Sequence, residues 1–443
     1  MFKIKMTSLQ STQVCQSKQG EQEVNKVSLE QVKSISNKVR LVDSDENNKL
    51  ELYCYLNYEE GVDDPLMEKC RGVIFSGDKL VVPAYPYTQE IVDTDESVIK
   101  EKMGNNLNDY AIFESHEGCL IRMFWYGDRW NISTHRKLNA FRSKWASKES
   151  FGTNFKRAID NLYNCDENFR NIVGDSEQPL FERYQNVLDK DKQYMFLLKN
   201  TFDNRIVCVA PEEPVVYHVG TIIDGNLNIH DDCHIPRARQ LYFENTDDMI
   251  YYLKNNMDVT RHQGLICFSN NKDKKHLKLI KEEYNAFFNA RGNESSIKFR
   301  YLQVRATNAD YVDKLHVLYP HMCSTFQEIE NIISQIGAEI YSSYVNRFIR
   351  KKFVTLPTED YAVMRECHKW HESDRTSNRV SEEKIMEILN KQSPTAINKM
   401  IRRWKVVKDI SDNNIENSKR KHRSNTITHE NDNTEKNSDS MVE

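Results

Sequence analysis

The most constraining feature of the sequence is a change of texture two thirds of the way along it. From 27 to 292, short runs of β-type residues recur at 72–75, 80–83, 119–125, 130–133, 194–198, 205–209, 215–219 and 264–268. Ser-Gly-Asp at 76–78, Tyr-Gly-Asp at 126–128 and Asp-Gly-Asn at 224–226 separate several of them, because glycine accepts the positive φ at which a chain reverses. Helical stretches are expected between the runs, at 137–145 and 155–162. From 293 to 405 the spacing changes. Ile329, Ile332, Ile333, Ile336 and Ile340 form one stripe within 326–343, the three-and-four spacing of an amphipathic helix. Pro357 can open the next helix, Ser381 followed by Glu382 and Glu383 reads as an N-cap with acids in the first turn, and Ser393-Pro394 starts a last helix running to about 405. The expected architecture is α+β over 27–292 and an all-helical domain over 293–405.

The flanks are polar. Residues 1–26 are rich in Gln, Ser and Lys, and 406–443 run into Asn, Thr, Glu and Ser; both are expected to be disordered. The second carries Lys419, Arg420, Lys421, His422 and Arg423, which read as a nuclear-import signal or as a solvated charge run. The formal net charge of -4 excludes a global basic field, so any nucleic-acid surface must be a local patch. Ten cysteines without a Cys-x-x-Cys pair point to free thiols in a reducing compartment. With no run of 18 apolar residues and no apolar signal core, the expectation is an intracellular, cytoplasmic protein that does not enter a membrane.

Five segments carry a more specific pattern. They are Glu-Lys-Cys-Arg-Gly-Val-Ile-Phe at 68–75, Ile-Phe-Glu-Ser-His-Glu-Gly-Cys-Leu-Ile at 112–121, a stretch from Tyr194 through Asn204 and Arg205 to Val207, His-Gln-Gly-Leu-Ile at 262–266, and His276 to Tyr284 with Lys278, Ile280 and Lys281. In this order and spacing they resemble the bacteriophage-type RNA ligases of the first, tRNA-repair family, across roughly 50–285. The chain is similar as well to divergent ligase-like proteins of large DNA viruses. The resemblance implies a nucleotidyltransferase domain of the ligase-adenylation, ATP-grasp-like type, with ATP and Mg²⁺ as cofactors and RNA as partner. In that chemistry a lysine amine attacks the α-phosphate of ATP, AMP passes to an RNA 5′-phosphate, and a 3′-hydroxyl displaces it.

Read residue by residue, the resemblance breaks where the chemistry is done. Ser115 stands at the lysine position, and a serine hydroxyl is a poor nucleophile without a base. Glu117 and Gly118 keep the acid and the turn of the motif. Leu197 replaces a metal-binding carboxylate, Gln263 replaces a glutamate, and Ile280 replaces a second lysine unless the register slips to Lys281. Arg71, Gly72, Lys278, Lys281 and Gln263 remain as the nucleotide- or phosphate-binding set. The expectation is a degenerate ligase-like protein with no metal site, binding RNA or a nucleotide or serving as a scaffold for a protein partner. The alternative is an active ATP-dependent RNA ligase using another lysine.

Weaker signals lie outside the motifs. His135 and Arg136 follow a strand at the expected start of a helix, where an N-terminus could hold a phosphate. Arg347, Arg350 and Lys351, with Arg402 and Arg403, could meet an RNA backbone; a solvated helix face is the default reading of them. Two groups invite a zinc reading, His230/Cys233/His234 and Cys367/His368/His371, but neither supplies four ligands at finger spacing.

Overall fold

A computed structural model describes residues 27–55, 64–271 and 274–410. The expected disordered segment 1–26 and the basic cluster at 419–423 lie outside these. The chain divides into two compact units, Met1–Asn285 and Ala286–Glu443. The first is α+β and the second is helical throughout its described residues.

Three sheets build the first unit. One is a four-stranded antiparallel meander of β1 (Val39–Asp45), β2 (Leu50–Tyr55), β3 (Arg71–Ser76) and β4 (Lys79–Val82). The second has the order β12-β6-β13-β14-β5, from β5 (Thr88–Val92), β6 (Tyr110–Ser115), β12 (Gln240–Leu241), β13 (Gly264–Ser269) and β14 (His276–Ile280). Only its β14/β5 pairing is parallel. The third, wholly antiparallel, has the order β11-β10-β9-β7-β8, from β7 (Gly118–Trp125), β8 (Trp130–Ser133), β9 (Gln193–Lys199), β10 (Val216–Ile223) and β11 (Asn226–Asn228).

Alternation along the strands decides what each sheet packs against. Ile121 and Met123 of β7, with Tyr194, Phe196 and Leu198 of β9, bury against Phe155, Ala158 and Ile159 of the helix Phe151–Cys165. That helix is capped by Ser150, whose Oγ accepts from the Thr153 amide at 3.1 Å. Phe155 is fully buried; truncating it to alanine would cost about 3–5 kcal/mol. Phe124 and Met195, from the opposite face of the same strands, pack on Leu50, Leu52, Ile74 and Val82 of the meander. On the second sheet, Ile112, Leu265, Cys267, Leu277 and Leu279 bury against Ile99 and Met103 of the helix Glu96–Met103 and Met249, Ile250 and Leu253 of the helix Thr246–Asn255. Its other face carries Phe113 and Phe268 and looks toward the third sheet.

Two local expectations are corrected. Residues 205–209 form no strand, because the Val207 and Cys208 amides donate to the Glu117 carboxylate at 2.7 and 3.0 Å rather than to a neighbouring strand. Residues 137–145 form no helix beyond a single turn, Ala140–Arg142. The stretch is instead held as a loop: Thr134 Oγ1 accepts from Lys137 at 3.1 Å, and Asp43 of β1 accepts from Leu138 at 2.8 Å. His135 and Arg136 therefore sit in a loop, with no helix N-terminus beside them.

In the second unit the isoleucine stripe lies buried on the helix Cys323–Tyr344. Gly337 on that helix has Met386 Sδ only 2.3 Å from where a Cβ would stand, so the absence of a side chain sets how closely the helix Glu382–Asn390 approaches. Pro357 and Ser381 stand at the N-caps of the helices Thr358–Ser373 and Glu382–Asn390. The last described helix covers 394–410 and so corrects the expected end at 405 and the expected disorder from 406: its added turn carries Lys408 back over the Trp404 ring at 4.7 Å.

Candidate functional site

The motif residues converge because β6 and β7 belong to different sheets and only His116 and Glu117 separate them. The chain crosses there from the second sheet to the third, and a cleft of about 210 Å³ opens between the two. Register places Ser115 opposite Gly264, and Gly264 opposite Ile280. One row further along the same face, Phe113, Ile266, Lys278 and Glu90 lie side by side. With two strand spacings across and two residues along, the Cα atoms of Ser115 and Lys278 are about 11–12 Å apart. Both line the cleft, as do Gly118, Leu197 and Gln263.

The cleft is an apolar slot with a few polar groups at its edge. Tyr85, Phe113 and Phe268 meet edge-to-face at centroid distances of 6.5 and 6.0 Å. Arg237 and Lys278 are the cations of the lining, and Lys278 Nζ is 2.8 Å from Glu90 Oε1. The buried Ser115 hydroxyl donates to Gln263 Oε1 at 3.4 Å. Ile280, in the row of Ser115, is 7% exposed. Lys281 turns to the other side of the strand, where its ammonium donates to the Met257 carbonyl at 2.8 Å.

Glu117 lies behind the cleft and is 2% exposed. Burial pushes its carboxyl above the ordinary carboxylate range, while hydrogen bonds from Cys208, Val207 and Tyr284 pull it back. Its geometry is that of a clamp: one oxygen takes two backbone amides of the irregular segment after Asn204. Asn204 holds the start of that segment, its Oδ1 accepting from the Thr201 amide at 2.6 Å. Gly264 permits the close pairing of β13 and β14, since a Cβ there would lie 1.9 Å from the Leu279 carbonyl oxygen, at φ +154°.

The remaining first-unit candidates gather elsewhere. Arg71 and Gly72 on β3 lie with His135 and Arg136 around Arg122, which is fully buried and donates to the carbonyls of Gly72 and Thr134. Burial, and then the charges of Arg71, Arg122 and Arg136, push the His135 imidazole down to about 3. None of Arg71, Gly72, His135 and Arg136 lines the cleft. In the second unit Arg347 lies over the ring of Tyr361 at 5.3 Å, Arg350 donates to Asn346, Lys351 is exposed, Arg402 is exposed, and Arg403 is paired with Glu359 and Asp360.

Among the described residues, one group of His, Cys, Asp and Glu side chains could hold a metal: Glu114, His116 and His262. Neither zinc grouping singled out in the sequence forms such a set. Burial pushes His116 down to about 3, helped by the charge of Lys199. The signal for this trio was present as His-Glu and His-Gln beside two motif positions, but nothing local says that 114–116 and 262 meet.

No model of a known protein family matches the chain. It is 21% identical over 291 residues to "Putative bifunctional polynucleotide kinase/RNA ligase" of Autographa californica nuclear polyhedrosis virus, covering 62% of this chain and 38% of that one. Among solved structures it is similar to an archaeal ATP-dependent RNA ligase, with 11% identity, coverage of 65% and 70%, and a TM-score of 0.37, below the level of a shared fold. It is 29% identical over 323 residues to the immediate-early protein ICP-46 homolog of Invertebrate iridescent virus 3, covering 72% of this chain and 68% of the relative. The ICP-46 homolog of Invertebrate iridescent virus 6 is 30% identical over 374 residues, which cover 80% of each chain. This protein therefore belongs to the family of immediate-early protein ICP-46 homologs.

Proposed function

We propose that this protein retains the nucleotide slot of an RNA-ligase-type adenylation domain but forms no lysyl-AMP adduct, and that it binds a nucleotide or the 5′-phosphate end of an RNA. The observation that carries this reading is the floor of the cleft. Ser115 faces it in place of an amine, with Gln263 and Ile280 rather than charged groups beside it. The slot suits ATP: aromatic rings can sandwich a base, and Lys278 and Arg237 offer charge-assisted contacts to phosphate. It does not suit Mg²⁺, which wants carboxylate and water oxygens. Leu197 and Gln263 occupy the expected carboxylate positions, and the one carboxylate in the lining, Glu114, is engaged by His262 at 3.3 Å and Arg239 at 3.6 Å.

The test is incubation of the full chain with α-labelled ATP and Mg²⁺ or Mn²⁺, followed by a denaturing gel, beside filter binding of 5′-phosphorylated RNA across a salt series. The expected result is salt-dependent retention of RNA without a covalent band. Lys278→Ala should weaken nucleotide or RNA binding by about ten- to a hundredfold, as loss of a charged contact of roughly 1.5–3 kcal/mol requires. A covalent band abolished by Lys278→Ala would make that lysine a nucleophile and the protein an active ligase. No binding at low salt would leave the protein a scaffold.

A further inference from the structure

On either side of Ser115, Glu114 and His116 border both the cleft and a second, larger cavity. They meet His262, which closes the turn begun by Asp258, its amide donating to the Asp258 carbonyl at 3.0 Å. One ligand atom from each of the three lies within 4.8 Å of the others. His262 Nε2 is 3.3 Å from Glu114 Oε2, close to the ligand–ligand edge of about 3.4 Å in a tetrahedron with bonds near 2.0–2.1 Å. Tyr217 stacks on the His116 ring at 4.8 Å and 19°, which fixes the imidazole as a supporting shell does at metal sites. His116 Nδ1 is buried with no hydrogen-bond partner in the structure.

We propose that Glu114, His116 and His262 bind a zinc-class divalent ion whose open coordination position takes a phosphate-type anion. Two imidazoles and one carboxylate suit Zn²⁺ or Co²⁺, whereas Mg²⁺ and Ca²⁺ prefer all-oxygen shells. Three protein ligands leave a fourth position open. That position faces a cavity of about 660 Å³ edged by Lys199, Arg237, Arg239 and Arg261. Arg239 Nη1 also lies 3.6 Å from Glu114 Oε1. Four cations repel a bare dication, so metal and anion each strengthen the binding of the other, a coupling that must be reciprocal. Glu114, His116 and Arg237 border both this cavity and the proposed nucleotide slot, but Co²⁺ binding is read without nucleotide, so the metal site can fail while the slot reading stands.

The experiment uses the full chain, stripped with a chelator and titrated with Co²⁺ as a spectroscopic probe. One equivalent should bind with the visible absorption of a tetrahedral ion, without the near-ultraviolet thiolate bands that cysteine ligation would give, and Zn²⁺ should displace it. Inorganic phosphate should alter the spectrum and tighten Co²⁺ binding. His262→Gln and Glu114→Gln should each weaken the metal by about a hundredfold or more, since losing even an outer-shell partner costs about 10–100-fold. Arg239→Ala should keep the metal and reduce the phosphate effect. Melting curves in chelator establish that the variants fold; should His262→Gln not fold, the isosteric Glu114→Gln carries the test. Absence of stoichiometric Co²⁺ and Zn²⁺ binding, thiolate bands, or unchanged affinity in a folded variant would overturn the metal site. Phosphate without effect on bound Co²⁺ would overturn the open anion position.

Discussion

On the proposed reading of the cleft, Ser115 puts a hydroxyl where adenylation chemistry needs an amine, and it is embedded in other such replacements. Ser115→Lys would place an ammonium in the row of Ile280 and beside Gln263, with Leu197 across the cleft. The phosphate charge and the metal would remain unsupported. We expect this variant to seal no nicked RNA in an end-joining assay, and robust sealing would show that the lysine alone was missing. Glu117 is different, because its carboxylate is spoken for. Glu117→Ala would strip two backbone amides of their acceptor, at about 1–3 kcal/mol for each buried group left unpaired. Glu117→Gln keeps an acceptor oxygen and loses a charge that burial disfavours. Chemical denaturation should find the alanine variant less stable by about 2–5 kcal/mol and the glutamine variant within about 1 kcal/mol of wild type. Equal stability of all three would end the clamp account. The sequence singled out Glu117 only through a motif resemblance; that it anchors 207–208 was not legible there, since its partners lie 90 residues away.

Strands and helices were legible where their own residues carry the pattern. The runs at 72–75, 119–125, 130–133, 194–198 and 264–268 lie within β3, β7, β8, β9 and β13, because apolar β-type residues bounded by turns need no distant information. The run at 205–209 has the same composition but a buried carboxylate for a partner, and the stretch at 137–145 gives its amides to Thr134 and Asp43. In both, a carboxylate from a distant part of the chain, Glu117 or Asp43, ties the backbone into an irregular path that no local pattern writes. The pairing of β13 with β14 depends on one residue. Gly264→Ala would drive a methyl group into the Leu279 carbonyl at a φ that L-residues avoid. The expected result is destabilisation by at least about 2 kcal/mol with weakened nucleotide binding, since Ser115, Gln263 and Lys278 are positioned by that register. A melting temperature and affinity equal to wild type would show that the strands can part without consequence.

Across the molecule, buried imidazoles set a pH response. Burial pushes His135 down to about 3 and His218 and His276 to about 4. In the unfolded chain they titrate near 6.5, so each contributes stability that is complete above that pH and is lost as pH falls toward the folded value. Asp93 and Glu117, raised by burial, act in the opposite sense and lose stability as pH rises above about 4. Between pH 7 and 5 these histidines, joined by His116, His262 and His368, which burial also pushes down, act against Asp93, Glu117 and Asp360, the last likewise raised by burial, and each histidine contributes at most about 1.4 kcal/mol per pH unit. Calorimetry should find the melting temperature falling over that interval; a flat or rising profile would mean that these imidazoles stay neutral in neither state or are exposed in both. The sequence by itself determined the α+β-to-helical change of texture, the isoleucine stripe of the second unit, the caps at Pro357 and Ser381, and the absence of a lysine at 115, because each is written in residues a few positions apart. Only the tertiary structure decided that positions 115, 197, 263 and 278 line one cleft and that 114, 116 and 262 meet beside it. Strands find their partners by burying apolar faces contributed from distant parts of the chain, and which polar side chains come together follows from that pairing.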